Sequence, residues 1–295
     1  MSSEGSSTNF IRLYEDQELA YIYAIYRPPY PDALREAIMN YLEKNQHARR
    51  KKGKFDKMLD VGCGSGTLST QTFTSHFKSI LGIDISEAKI KEAKRLNKCR
   101  NVAFELVDSY KFPVEDNSVD LITCATSIHF LDLQLLEKEC ERVLKPRGCC
   151  AVYTINWGNI TKFSVGGTDW RHKIVLLNPI VADFFVNVKS YSNNFAALER
   201  NRQFYEQIIN SSKLWLQEIV CEREMTLRQL KNVFRTAGEY AIFMKHDKPT
   251  TDPLEIFDLN IRQALELGNV FLSEDIFLKV EMVYPIFVFT KHITS

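Results

Sequence analysis

Met58–Thr70 reads MLDVGCGSGTLST. An apolar run stops on an acid, Asp60, and glycines then stand at positions 62, 64 and 66. Glycine tolerates positive φ and removes the Cβ that would hold a ligand away from the backbone. The stretch therefore offers bare main chain at the carboxyl end of a strand, where open α/β sheets bind their ligands.

The surrounding chain repeats one rhythm. KMLDVG (57–62), SILGID (79–84), NVAFELVD (101–108), SVDLITCA (118–125) and CCAVYTI (149–155) read as five apolar strands. Between them, TLSTQTFTSHF (67–77), SEAKIKEAKRL (86–96) and QLLEKECERVL (134–144) read as helices, and LKPRG (144–148) as a turn. Strand–helix–strand alternation implies right-handed crossovers and a doubly wound, mostly parallel sheet. Helices on both faces explain why the strands are apolar almost throughout. After Ile155 the rhythm breaks, and residues 156–215 read as an aromatic-rich, irregularly helical stretch. EIVCEREMT (218–226) reads as a strand, and TLRQLKNVFRTAG (226–238) as a helix with Gly238 as C-cap. DPLEIFDLNIRQALEL (252–267) is a helix with Asp252 as N-cap and Pro253 at its first position. VEMVYPIFVFTK (280–291) reads as a last, antiparallel strand.

Composition narrows the function classes. The 295 residues are 45% apolar and 25% charged, with a net charge of +1. That balance asks for neither nucleic acid nor an anionic membrane, and no apolar run approaches a membrane span. Residues 1–9 are polar and Ser-rich, lack a secretory signal, and are expected to form a disordered tail ahead of a single domain over 10–295. Seven cysteines, an odd number without a CxxC pair, imply reduced thiols, no metal site and a cytoplasmic setting. HARRKKGK (47–54) reads as a solvated basic loop.

The glycine spacing discriminates among nucleotide sites. A dinucleotide fingerprint requires G-x-G-x-x-G, but position 67 is Thr. No G-K-[ST] follows, so the loop is not a phosphate-cradling P-loop. Asp84, closing the second strand, can accept hydrogen bonds from both ribose hydroxyls of a nucleoside. Asp108, closing the third, can receive an adenine amino group. Three acids at three adjacent strand ends suit a cationic or hydroxyl-rich nucleoside without phosphates.

Taken in order, D-V-G-C-G-S-G-T, GID, VDS, IHF and LKPRG resemble the class I S-adenosylmethionine-dependent methyltransferases. YAIYRPPYPDAL (23–34) and TLRQLKNVFRTAGEY (226–240) are further similar to the entrance motif and late helix of the small-molecule group that includes trans-aconitate methyltransferases. The resemblance covers about residues 14–291. It implies a Rossmann-like, mostly parallel seven-stranded sheet with a late antiparallel strand and a helical substrate cap. The core is expected at about 35–155, the cap and insertion at about 156–250, and the closing helix and strand at about 251–291.

The same resemblance implies S-adenosyl-L-methionine as cofactor and a small-molecule acceptor, with carboxyl O-methylation of an organic or lipid-like acid as the suggested reaction. Asp60, Gly62, Gly64 and Gly66 would meet the cofactor's ribose and amino-acid end. Asp84 with Ile85 would meet the ribose, and Asp108 with Ser109 the adenine. Tyr26 and Arg27 belong to the entrance segment, where Arg27 can meet a carboxylate. His129 is the candidate catalytic residue near the transfer centre. Arg171 and His172 read as an exposed helix face, and Trp157, Trp170, Phe184, Phe185, Tyr191 and Trp215 mostly as core. Ala237 and Gly238 stand where the group has Trp and Ser. That departure leaves open a non-catalytic cofactor-binding protein; a nicotinamide oxidoreductase is opposed by Thr67. Acceptor and oligomeric state are not legible.

Overall fold

The computed structural model describes residues 17–46, 53–167, 171, 174–188, 197–209, 212–267 and 270–291. The tail at 1–9, nearly all of the 47–54 basic cluster, Trp170, His172 and Tyr191 lie outside the described residues.

Five parallel strands form the core in the order β3–β2–β1–β4–β5. They are β1 (Phe55–Val61), β2 (Phe77–Asp84), β3 (Val102–Leu106), β4 (Val119–Ala125) and β5 (Leu144–Tyr153). The long strand β8 (Ile276–Thr290) adds to β5 antiparallel. Two further strands pair with β8: β6 (Asn156–Val165) and β7 (Lys213–Thr226). Residues 286–289 of β8 pair with both β5 and β7, which therefore lie on opposite edges of β8. β6 follows β5 along one edge while β7 runs the length of the other. Eight strands thus occupy the seven expected positions.

Helices cover both faces. On one side α1 (Gln17–Tyr26), α2 (Asp32–Gln46) and α3 (Glu87–Leu96) flank the sheet. Leu34, Ile38 and Leu42 recur every four residues along α2, and each is at most 1% exposed. Side chains of that size stabilise by about 1.5–3 kcal/mol each when fully buried. On the other side α4 (Leu133–Val143) buries Leu136, Cys140 and Val143 against Ile122, Cys150 and Val152. Asp132 caps α4 by accepting from Gln134 N and Leu135 N.

The chain after β6 carries α5 (Ile174–Val188), α6 (Ala197–Gln207), α7 (Leu227–Arg235), α8 (Gly238–His246) and α9 (Pro253–Ala264). Asp252 caps α9 with Pro253 at its first position, as expected. Helix α1 packs against α3 and α7, which closes the entrance segment over the sheet edge.

Four expectations are corrected. Thr67–Phe77 is not an α-helix; turns and a short 3-10 segment at Thr70–Phe73 replace it. Its β-branched residues disfavour helix, and their hydroxyls bond elsewhere: Thr72 Oγ1 donates to Ser69 O and Thr70 Oγ1 to Asp60. LKPRG is not a free turn but the irregular start of β5, with Arg147 at φ 67° and a register shift opposite Val119–Leu121. Gly238 is not a C-cap: α7 ends at Thr236, whose Oγ1 donates to Val233 O, and Gly238 opens α8. The 156–215 stretch is not solely helical, because β6 and the start of β7 join the core sheet.

All seven cysteines are unpaired. Among the described residues, no helix is long and apolar enough to cross a membrane.

Candidate functional site

A cavity of about 760 Å³ opens at the carboxyl ends of β1, β2, β3 and β4, beneath α1 and α5. Its floor is the glycine loop. Gly62, Gly64 and Gly66 adopt φ of 70°, 57° and 72°. Gly62 N and Cys63 N both donate to Ile83 O, which bends the loop back over β2. A Cβ on Gly62 would lie 2.5 Å from Ser127 Cβ. Gly64 has open space instead, with a Lys89 methylene 4.0 Å away as the nearest neighbour.

Asp84 ties the loop to the next helix. One carboxylate oxygen accepts from Gly64 N at 2.8 Å and the other from Ser86 N at 2.9 Å. Ser86, not Asp84, caps α3. Each oxygen retains lone pairs for a ligand at the strand end. Ile85, 46% exposed, and the exposed Asp108 and Ser109 line the same wall. His129 lies on the cavity, in the short 3-10 turn Ile128–Phe130 after β4.

Arg27 enters from the other side. Its guanidinium lies 5.3 Å from the Tyr23 ring centre and 4.9 Å from that of Trp157, and Nη1 donates to Thr236 Oγ1 at 3.1 Å. Its Nε is buried with no hydrogen-bond partner among the described residues. Among the described residues no carboxylate pairs with it. Behind it, the Tyr30 and Thr126 hydroxyls share a 2.7 Å hydrogen bond, and the Tyr30 ring meets Tyr153 edge-on at 4.9 Å. Burial pushes the Tyr30 phenol above its ordinary pKa of 10.0. Cys63 also borders the cavity, but burial pushes its thiol up, so it presents no thiolate.

Three expected residues do not line the cavity. Tyr26 is on the outer side of α1, 39% exposed. Gly66 packs against the sheet: a Cβ there would meet Phe104 Cζ at 2.2 Å. Asp60 is fully buried behind the loop, accepting from Thr70 Oγ1 at 2.6 Å and Thr123 Oγ1 at 2.7 Å. Its neighbourhood sets the loop's shape.

Burial raises the Asp60 pKa from 3.8 to about 6, against the opposing pull of the Thr70, Thr123 and Ser69 hydroxyls. Asp60 therefore keeps a proton in the folded chain between about pH 4 and 6 that it would lose unfolded, and its own contribution to stability falls as pH rises through that window. Asp60→Asn should remove a fall on the order of 2–3 kcal/mol, equivalent to about two pKa units. Urea unfolding of both forms at pH 4 and 7 checks this; parallel pH dependence in the two would refute it.

Sequence reasoning missed Tyr23, Tyr30, Ser127, Thr236, Asn156 and Asn201, all on the cavity. Tyr23 and Tyr30 sat inside the quoted entrance segment. The two asparagines carry no spacing signal at all. Of the aromatic candidates, Trp157 and Phe185 wall the cavity. Phe184 instead stacks on Phe234 at 5.1 Å in the core, and Trp215 stacks on Phe287 at 6.2 Å.

Comparison with known proteins finds similarity to methyltransferases. Residues 52–173 match the family model of a methyltransferase domain. A protein named as a methyltransferase in Dictyostelium discoideum is 29% identical over 139 residues, 47% of this chain and 48% of that one. The 27-O-demethylrifamycin SV methyltransferase of Amycolatopsis mediterranei is 30% identical over 102 residues, 33% of this chain and 38% of that one. The chain thus spans about half the length, or less, of the curated relatives it matches. A solved structure from Anaeromyxobacter dehalogenans, assigned as a type II methyltransferase, shares the fold. It superposes with a TM-score of 0.65 at 18% identity, over 90% of this chain and all of that one. The matched region contains the glycine loop and all three strand-end acids. Residues 52–173 thus match a methyltransferase domain, and the chain shares its fold with a solved methyltransferase structure.

Proposed function

We propose that the chain transfers the methyl group of S-adenosylmethionine to a small organic acid, forming a methyl ester. The observation that carries this reading is Arg27, a half-buried side chain with no carboxylate partner among the described residues, facing the same cavity as the glycine loop and Asp84. The residues suit the cofactor: Gly64 leaves its backbone open, and Asp84 presents a carboxylate for a ribose diol. Asp108 and Ser109 take the adenine edge, with Ile85 against its face. The cofactor supplies a methyl already activated on a sulfonium.

The protein's share is then placement. Arg27 orients an acid by charge-assisted hydrogen bonds, which are about twice as strong as neutral ones. Trp157 and Phe185 keep water from its apolar part. Holding the acceptor oxygen in line for transfer can contribute about 7–11 kcal/mol. A carboxylate is ionised at neutral pH and needs no general base, so His129 serves as wall rather than as proton acceptor. The entrance segment also supports kinship with the trans-aconitate methyltransferase-like group.

Calorimetric titration tests the reading. S-adenosylmethionine and S-adenosylhomocysteine should bind with micromolar Kd, and NAD should not bind. Arg27→Met should leave S-adenosylhomocysteine affinity within about threefold and abolish methylation of carboxylic acids. Loss of cofactor affinity in that variant would instead assign Arg27 to the cofactor.

A further inference from the structure

Two cavity-lining residues carry side-chain carbonyl oxygens that accept nothing among the described residues. Asn156 Oδ1 and Asn201 Oδ1 are buried and lack hydrogen-bond partners among the described residues. Asn201 is 1% exposed, and its Nδ2 donates to Thr154 Oγ1 at 2.9 Å. Thr154 and Asn156 bracket the junction of β5 and β6, so that bond brings α6 against the strand junction. All three residues line the cavity. Buried polar side chains are nearly always bonded, because an orphan in low dielectric destabilises the fold. Two orphans of one kind bordering the same space describe a complement: a group that donates. A carboxylate cannot supply that hydrogen, and Arg27 already suits one.

We propose that Asn156 and Asn201 select the acceptor through a hydroxyl or amino group, so that the substrates are hydroxy or amino acids rather than simple acids. This rests on the methyltransferase reading above. Arg27 donates to the acid's carboxylate, and the asparagines accept from its second polar group. That group is a handle and is not methylated. Sites built to hydrogen-bond a hydroxyl reject the analogue lacking it far more strongly than apolar pockets reject a missing methylene, because the protein's own polar groups are then left unpaired.

The test uses the full chain with S-adenosylmethionine. Hexanoic and octanoic acids are compared with their hydroxy and amino derivatives by release of S-adenosylhomocysteine. The derivatives should be preferred at least about tenfold in kcat/KM. Asn201→Leu should bring the ratio near one without changing S-adenosylhomocysteine affinity. Equal kcat/KM for the plain acids overturns the proposal. So does weaker S-adenosylhomocysteine binding in Asn201→Leu, which would assign the carbonyl to the cofactor's amino group.

If no acid is methylated although S-adenosylhomocysteine binds, the esterification reading has failed, and stability decides the asparagine inference separately. In the ligand-free protein, Thr154→Val with Asn201→Leu replaces a bonded pair and an orphan oxygen by apolar groups. Relief of an orphan should raise Tm by about 2 °C. A fall in Tm would mean that Asn201 is satisfied within the fold, and would overturn the inference.

Discussion

Replacing Asp84 with alanine should weaken S-adenosylmethionine binding at least about 100-fold while the chain stays folded. The carboxylate sits at the end of β2 with its two oxygens already oriented by Gly64 N and Ser86 N. In the proposed site it would offer a vicinal diol an acceptor already oriented for it. Hydrogen bonds to charged groups are worth about 1.5–3 kcal/mol each, and two of them amount to at least about 100-fold in affinity. The substitution also frees Gly64 N, so the loop loses its tether to α3. The fold persists because β2 keeps its parallel pairing to both β1 and β3 and its buried Phe77, Ile80 and Ile83. Calorimetry with circular dichroism reads both halves; affinity unchanged from wild type would remove Asp84 from the site.

Gly62→Ala should destabilise the protein by about 3 kcal/mol. Two effects add. The left-handed backbone at φ 70° costs about 1–2 kcal/mol once a Cβ is present. The new methyl also falls 2.5 Å from Ser127 Cβ, and forcing extra atoms into a packed site costs typically 1–3 kcal/mol. Ser127 is poorly placed to yield, because its Oγ donates to Val61 O at 2.7 Å and joins the end of β1 to the turn after β4. Gly64→Ala is the internal control: it carries the backbone strain at φ 57° without the clash, and should cost about half as much. Urea denaturation of the two variants separates them; equal losses would mean that the Ser127 contact relaxes freely.

What was legible in the chain follows from what has a local cause. The five parallel strands announced themselves by apolar runs between turn signals, and Asp252–Pro253 or Ser86 by capping chemistry that operates within three residues. The glycine loop and Asp84 were legible because strand ends and positive φ leave marks in composition. Thr67–Phe77 misled because its length suits a crossover helix, whereas its hydroxyls are engaged by Asp60 and Ser69 O, contacts that no periodicity reports. Strand β6 was missed because it is defined by pairing to residues 276–283, more than a hundred positions later. Asn156 and Asn201 matter through tertiary placement alone, and a lone asparagine resembles any polar surface residue.

The pairing of β8 also bears on how the protein is made. Synthesis proceeds from the amino end, so the five parallel strands can assemble well before residues 286–290 leave the ribosome. Until then β5 presents Cys149–Tyr153 as an unpaired edge, apolar and buried in the finished fold. Open apolar edges template pairing with other chains. Nascent protein should therefore be most prone to aggregate after the parallel half is complete and before its last strand arrives, and truncation within β8 should yield inclusion bodies rather than a smaller soluble domain.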